Sequence, residues 1–245
     1  MIPDEKNRIT LACRALLIQE ENRNVLLETG IGAFFNPVLR DRYGVDEQDH
    51  ILLNSLKEQG LSHTDIDYVI LSHLHFDHAG GLLAKWEEGV EPRLLFPNAR
   101  YLVSQAAWER AAHPHARDRA SFIPHLNELL MKSQRLILVK KEKQDLLGEH
   151  YRFMFSDGHT PGLMHTIFKN NQDTIIFASD LIPGLPWVHL PISMGYDRFP
   201  ETLIDEKKKL LEFAIQQDAH VFYTHDPHVS MSKIRQDEKG KFIPV

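Results

Sequence analysis

A chain of 245 residues with 42% hydrophobic and 25% charged side chains can fill one large core. No Pro/Gly-rich stretch marks a linker, so a single domain over 1–245 is expected. The net charge of -6 argues against a nucleic-acid polyanion as partner, since such binding needs Lys and Arg to neutralise phosphates. The opening MIPDEKNRITLACRALLIQE sets charges on both sides of a short apolar run. That fits neither a signal peptide nor a membrane span, so the expectation is a cytoplasmic protein without a membrane partner. The one cysteine, Cys13, reads as an inert thiol.

In chain order, 9–19 reads as a strand, 20–24 as a turn and 25–28 as a returning strand, a hairpin. Residues 46–59 carry Ile51, Leu52 and Leu56 at helical spacing, with acids at the start and Gly60 past the end. The short apolar run 68–71 is a strand. A helix is expected at 82–88, a strand at 101–104 and helices at 105–112 and 122–131. Strands are expected again at 135–139, 151–155, 165–168, 174–178 and 220–223. Between the last two lies a helix over 201–217, whose Leu203, Ile204, Leu210, Leu211, Ala214 and Ile215 form an apolar stripe. Its run 205–209, DEKKK, reads as the solvated edge of that helix. Strands alternating with helices, with two hairpins mixed in, favour an α/β layered sandwich.

The chemistry concentrates at SHLHFDHAGG (72–81), which sets His73, His75, Asp77 and His78 within six positions just beyond a predicted strand. Neutral His and Asp are costly in an apolar setting unless every polar atom is partnered, so the cluster is a metal-ligand set rather than a packing device. Alternate residues of an extended loop point to opposite sides. His73 and His75 therefore need a bend to meet at one ion, while Asp77 and His78 can address a second. Further candidates stand at strand exits: His159 in SDGHTPG, Asp180 in FASDL and His225 in YTHDP. His50, His63, His113, His115, His125, His150, His220 and His228 lack such a setting and read as surface or helix-face residues, with His165 and His189 left open.

With HxHxDH and three later ligands in order, the chain resembles the metallo-β-lactamase superfamily from about residue 9 to about residue 227. The resemblance implies a four-layer αββα sandwich with two divalent metal ions, expected to be zinc. It implies that His73, His75 and His159 bind the first ion, that Asp77, His78 and His225 bind the second, and that Asp180 bridges them. Asp180 and His78 favour a dinuclear hydrolase over a true β-lactamase. His75 stands where flavodiiron relatives usually have Glu. With 20 residues after His225, neither a thioesterase-type helical domain nor a nuclease insertion is expected.

The stretches ETGIG (28–32), RYGV (42–45), LSHTDIDYVILSHLHFDHAGG (61–81), DLIPG (180–184) and MGYDRFPETLIDEKK (194–208) resemble the quorum-quenching lactonase branch. Three departures from it are expected: a first strand and substrate-side loop absent or trimmed before residue 9, Leu163 where His often follows GHTPG, and Pro183 where acyl-homoserine lactonases place Tyr. A tyrosine role would pass to a residue such as Tyr196.

The expected reaction is opening of a lactone, of the acyl-homoserine lactone kind, or of a related small ester by a metal-bridging hydroxide, with Asp77 handling the proton. Phe34 and Phe35, and Trp187, His189 and Tyr196, lie in loops suited to a wall for a small apolar substrate. The alternatives are a phosphodiester or thioester hydrolase, a mononuclear iron redox enzyme on the same fold, or a metal-retaining scaffold. A homodimer is admitted by analogy.

Overall fold

The computed structural model describes residues 2–245. The chain divides into two compact units: Ala15–Lys140, and the N-terminal segment through Arg14 together with Lys141–Val245.

The first unit is a five-stranded sheet in the order β1-β2-β3-β4-β5, formed by β1 (Leu16–Glu20), β2 (Arg23–Leu27), β3 (Tyr68–Ile70), β4 (Arg100–Ser104) and β5 (Leu136–Val139). β1 and β2 are an antiparallel hairpin whose turn end is tied by Arg23 to Glu20 at 2.6 Å. The strands from β2 to β5 run parallel. Val25, Leu26, Leu27, Val69 and Ile70 are all buried, as continuous apolar runs covered on both faces should be. The helices are α1 (Pro37–Tyr43), α2 (Ile51–Glu58), the single turn α3 (Phe76–Ala79), α4 (Gln105–Ala112) and α5 (Leu126–Lys132). Leu56, Ala107, Leu126 and Leu130 on these helices join Leu26 and Val69 of the strands in one core.

The second unit holds another five-stranded sheet, in the order β10-β9-β8-β7-β6. Its strands are β6 (Tyr151–Ser156), β7 (Leu163–Lys169), β8 (Thr174–Phe177), β9 (His220–Phe222) and β10 (Met231–Ser232). Helix α6 (Pro200–Gln216) and the hairpin β11 (Ile234–Gln236) with β12 (Phe242–Pro244) complete it. Leu203, Leu210, Leu211 and Ala214 of α6 share a core with Leu163, Ile176 and Val221. β6 and β8 each run antiparallel to β7, and β9 runs parallel to β8. The carboxyl ends of β6, β8 and β9 therefore share one edge of the sheet, where open α/β sheets carry their ligands.

Several expectations need correction. The strand expected from residue 9 begins at Leu16. The segment before it belongs to the second unit, where Ala12 N donates to His225 O at 3.1 Å and Arg14 N to Thr224 O at 3.0 Å. No α-helix forms at 82–88. Leu83 bridges Leu94, and the amides of Ala84 and Trp86 bond to Arg93 O and Ala33 O, so neighbouring chain outcompetes local helical bonds. Helix α1 was not anticipated, although Asn36 caps Leu39 N at 2.9 Å, Pro37 opens it and Gly44 closes it at φ 66. His50 is buried, with Nε2 against Leu83 O at 3.2 Å, and burial lowers its pKa. Lys207, assigned to a solvated edge, is fully buried. Among the described residues no helix is long and apolar enough to cross a membrane.

Candidate functional site

In the first unit the bend required by the HxHxDH spacing is the start of α3. His75 is extended at φ -66, ψ 154, and the next four residues turn helically, with Ala79 N returning to His75 O at 3.0 Å. The strict alternation of an extended chain is broken there. His73 comes to 4.3 Å from His75 and 4.2 Å from His78, ring centroid to ring centroid. All three imidazoles are buried, while Asp77 is partly exposed with Oδ2 at 3.6 Å from His78 Nε2. The turn needs glycine behind it: a Cβ on Gly81 would stand 2.0 Å from Thr29 O.

Glu28, just past β2, is the buried organiser of this set. It adopts a left-handed φ of 63, which a non-glycine residue enters only at a cost. Its Oε2 accepts from His78 Nδ1 at 2.7 Å, and its Oε1 accepts the hydroxyl hydrogen of Ser72. Because that hydrogen is committed, Ser72 Oγ must accept from His73 Nδ1 at 2.8 Å. The hydrogen-bond network thus assigns the Nδ1–H tautomer to both histidines and leaves the lone pair on Nε2, the arrangement that outer partners impose on metal-binding imidazoles.

The second unit repeats this logic with residues from three separate strand ends. His159 comes after β6, Asp180 after β8 and His225 after β9. His159 Nδ1 donates to Asp197 Oδ1 at 2.8 Å, and His225 Nδ1 donates to Ala12 O at 2.6 Å. Their Nε2 atoms face Asp180, His159 at 3.1 Å from Oδ2 and His225 at 3.0 Å from Oδ1. With hydrogens held on Nδ1, each contact sets a lone pair against a carboxylate oxygen. Neutral imidazoles would then meet the carboxylate acceptor to acceptor, an arrangement a cation relieves, so the donor chemistry fits a metal ion at Asp180.

Asp180 sits in a tight turn after Ser179, whose φ is 47. The buried His165 supports this turn, with Nδ1 on Ala178 O at 3.0 Å and Nε2 on Ser156 Oγ at 2.8 Å. Burial pushes the His165 pKa down to about 4, so it stays a neutral strut near pH 7.

The expected substrate residues fall in two places. Phe34 and Phe35 line a cavity of about 370 Å³ in the first unit, with Tyr43, Phe76, Trp86 and Phe122. Phe76 lies between His75 and Asp77 in the chain, and the Phe122 ring is 4.9 Å from that of His75. Trp187, His189 and Tyr196 lie on the 183–199 segment of the second unit. Trp187 packs against that unit's core, His189 is exposed, and the exposed Tyr196 has its ring 6.2 Å from His159. Sequence reasoning missed the outer partners. Glu28 had a signal, an acid directly after an apolar strand and before Thr29-Gly30, whereas Asp197 stands 38 residues from His159 with none.

The sequence model of the Metallo-beta-lactamase superfamily matches residues 8–225. The chain belongs to the metallo-β-lactamase superfamily. The α/β fold of that superfamily, expected from the sequence, is borne out. Among curated relatives, the N-acyl homoserine lactonase AiiA of Bacillus thuringiensis subsp. kurstaki is 24% identical over 248 residues, covering 93% of this chain and 84% of the relative. The lactonase AttM of Rhizobium radiobacter is 24% identical over 184 residues, covering 74% and 66%. A probable metal-dependent hydrolase from Staphylococcus aureus superposes with a TM-score of 0.85 at 27% identity, covering 99% of this chain and 85% of that one. AidC, a dizinc quorum-quenching lactonase solved with a product, gives 0.73 at 26% identity, covering 96% and 79%. This member of the superfamily is a metal-dependent hydrolase with His and Asp donor residues.

Proposed function

We propose that the chain is a dinuclear hydrolase that opens lactones of the acyl-homoserine lactone type or related small esters, working as one catalytic domain. The observation that carries the dinuclear reading is Asp180, which turns one carboxylate oxygen to His159 Nε2 and the other to His225 Nε2. One carboxylate addressing two imidazoles is the geometry of a bridging ligand. In this reading His73, His75 and His159 would hold one ion, Asp77, His78 and His225 the other, and Asp180 would serve both. Imidazole and carboxylate donors suit zinc.

Two divalent ions, when bound, supply Lewis acidity at a carbonyl oxygen and lower the pKa of water. The chain's own residues do the rest. Asp77, the solvent-reached carboxylate of the set, takes up the proton released as water adds to the carbonyl. It delivers that proton to the ring oxygen as the acyl C–O bond breaks, giving a hydroxy acid. Phe34, Phe35, Phe76 and Phe122 hold an apolar acyl group and exclude water beside it. Tyr196 lies close enough to His159 to meet the polar part of a substrate. Support for a lactone comes from the similarity to AiiA and AidC together with this aromatic cavity.

The test is proton release from a panel of acyl-homoserine lactones and simple γ-lactones, added to zinc-loaded protein at matched metal content. Turnover should rise with acyl length and lose that dependence in Phe35→Ala. Silence across the panel with metal present would discard the lactone reading in favour of phosphodiesters or thioesters.

A further inference from the structure

Helix α6 buries Leu203, Lys207, Leu210, Leu211 and Ala214, so Lys207 stands in the middle of the apolar stripe and is fully buried there. An amine in that position is tolerated only if its donors are used. Two of the three are: Nζ donates to Ile192 O at 2.5 Å and to His189 O at 3.3 Å. Burial pulls the Lys207 pKa down to about 8 while the Asp197 charge works against that fall, so the group is mostly protonated at pH 7.

The two carbonyls belong to the 183–199 segment, which runs on from them to the partner of His159. Met194 N donates to Asp197 Oδ2 at 2.5 Å, and Asp197 Oδ1 accepts from His159 Nδ1 at 2.8 Å. Arg198 N then returns to His159 O at 3.2 Å, and Phe199 N to Gly158 O at 2.8 Å. The same helix grips the other side of this junction. Glu206 accepts from Asp157 N at 2.8 Å and Gly158 N at 2.9 Å, and a Cβ on Gly158 would lie 2.3 Å from Leu203 Cα. Adjacent residues of α6 therefore hold two chain segments: Glu206 takes the amides before His159, and Lys207 takes the carbonyls before Asp197. The two segments meet in the His159–Asp197 hydrogen bond.

We propose that Lys207 is a positioning residue for His159, pinning the 189–197 segment so that Asp197 meets Nδ1 and aims Nε2. The consequence for catalysis rests on His159 being a metal ligand, but the positioning does not.

The experiment therefore reads the metal-free protein first. In ¹⁵N-histidine-labelled protein, the Nδ1–H signals of His78, His159 and His225 report three separate hydrogen bonds. Lys207→Met should lose or shift the His159 signal while keeping the other two. Zinc affinity by chelator competition should fall about 10–100-fold, the range for an outer partner. The double variant Lys207→Met/Asp197→Ala should bind zinc no more weakly than Asp197→Ala alone, because the two residues act in series. Lys207→Gln, which keeps donors on a shorter arm, provides the same comparison if the Met variant does not fold. An unchanged His159 signal overturns the proposal, as does simultaneous loss of all three signals in both variants, which would make Lys207 a general packing device. A wild-type protein that binds no zinc would overturn the metal reading and leave the His159 result to decide on Lys207.

Discussion

The two donor sets reach the same chemistry by opposite routes. In the first unit His73, His75, Asp77 and His78 lie on one strand-to-helix junction, and one carboxylate, Glu28, steadies two of the imidazoles. In the second unit His159, Asp180 and His225 come from three strand ends, and each histidine has its own outer partner, Asp197 at 38 residues' separation and Ala12 at 213. A contiguous set is oriented by local backbone geometry, whereas a dispersed set depends on the packing of a whole unit. The second set should therefore be more sensitive to changes far from its ligands.

The largest effect should come from Asp180→Asn, which removes charge from the residue facing two imidazoles. Zinc content should drop and lactone turnover fall by more than about 100-fold, beyond the range of an outer partner. Metal analysis and rate together check this, and an unchanged content and rate would sink the bridging role. Next come the outer partners compared across the units. Glu28→Gln should weaken zinc binding more than Asp197→Asn, with both inside about 10–100-fold, because Glu28 serves His78 directly and His73 through Ser72. Equal losses would show that sharing a partner carries no penalty.

The last prediction concerns acid stability of the second unit. The His165 pKa is about 4 when folded against 6.5 as reference. Between those values the unfolded chain binds more protons, so stability present above pH 6.5 is lost as pH falls and the loss is complete near pH 4. Full loss amounts to about 3 kcal/mol, and about 2 kcal/mol is gone by about pH 5. Denaturant unfolding of metal-free wild type at about pH 7 and about pH 5, beside His165→Asn, should show a smaller pH effect in the variant. Equal pH effects would remove His165 from the account.

The seven proposed ligands could be picked out in the sequence because strand exits are marked by apolar runs ending in polar residues, and the first four need only a bend within six positions. Helix α1 carries its signals in Asn36-Pro37 and Gly44, but its seven residues bury no side chain, so no apolar stripe marks it. The expected helix at 82–88 failed because the partner of Leu83, Leu94, lies on chain that no local pattern announces. Lys207 failed for a different reason. A lysine inside DEKKK has the composition of a solvated edge, and only the phase of α6 sets it among Leu203, Leu210 and Leu211.

The sequence by itself determined the superfamily and nominated the proposed metal ligands, because chemistry-bearing side chains at fixed strand ends survive any reading of the intervening chain. Only the tertiary structure decided which nitrogen His73, His78, His159 and His225 present, since that depends on Glu28, Ser72, Asp197 and the carbonyl of Ala12 meeting Nδ1 atoms. Except for Ser72 beside His73, these contacts are made by folding rather than by neighbourhood in the chain.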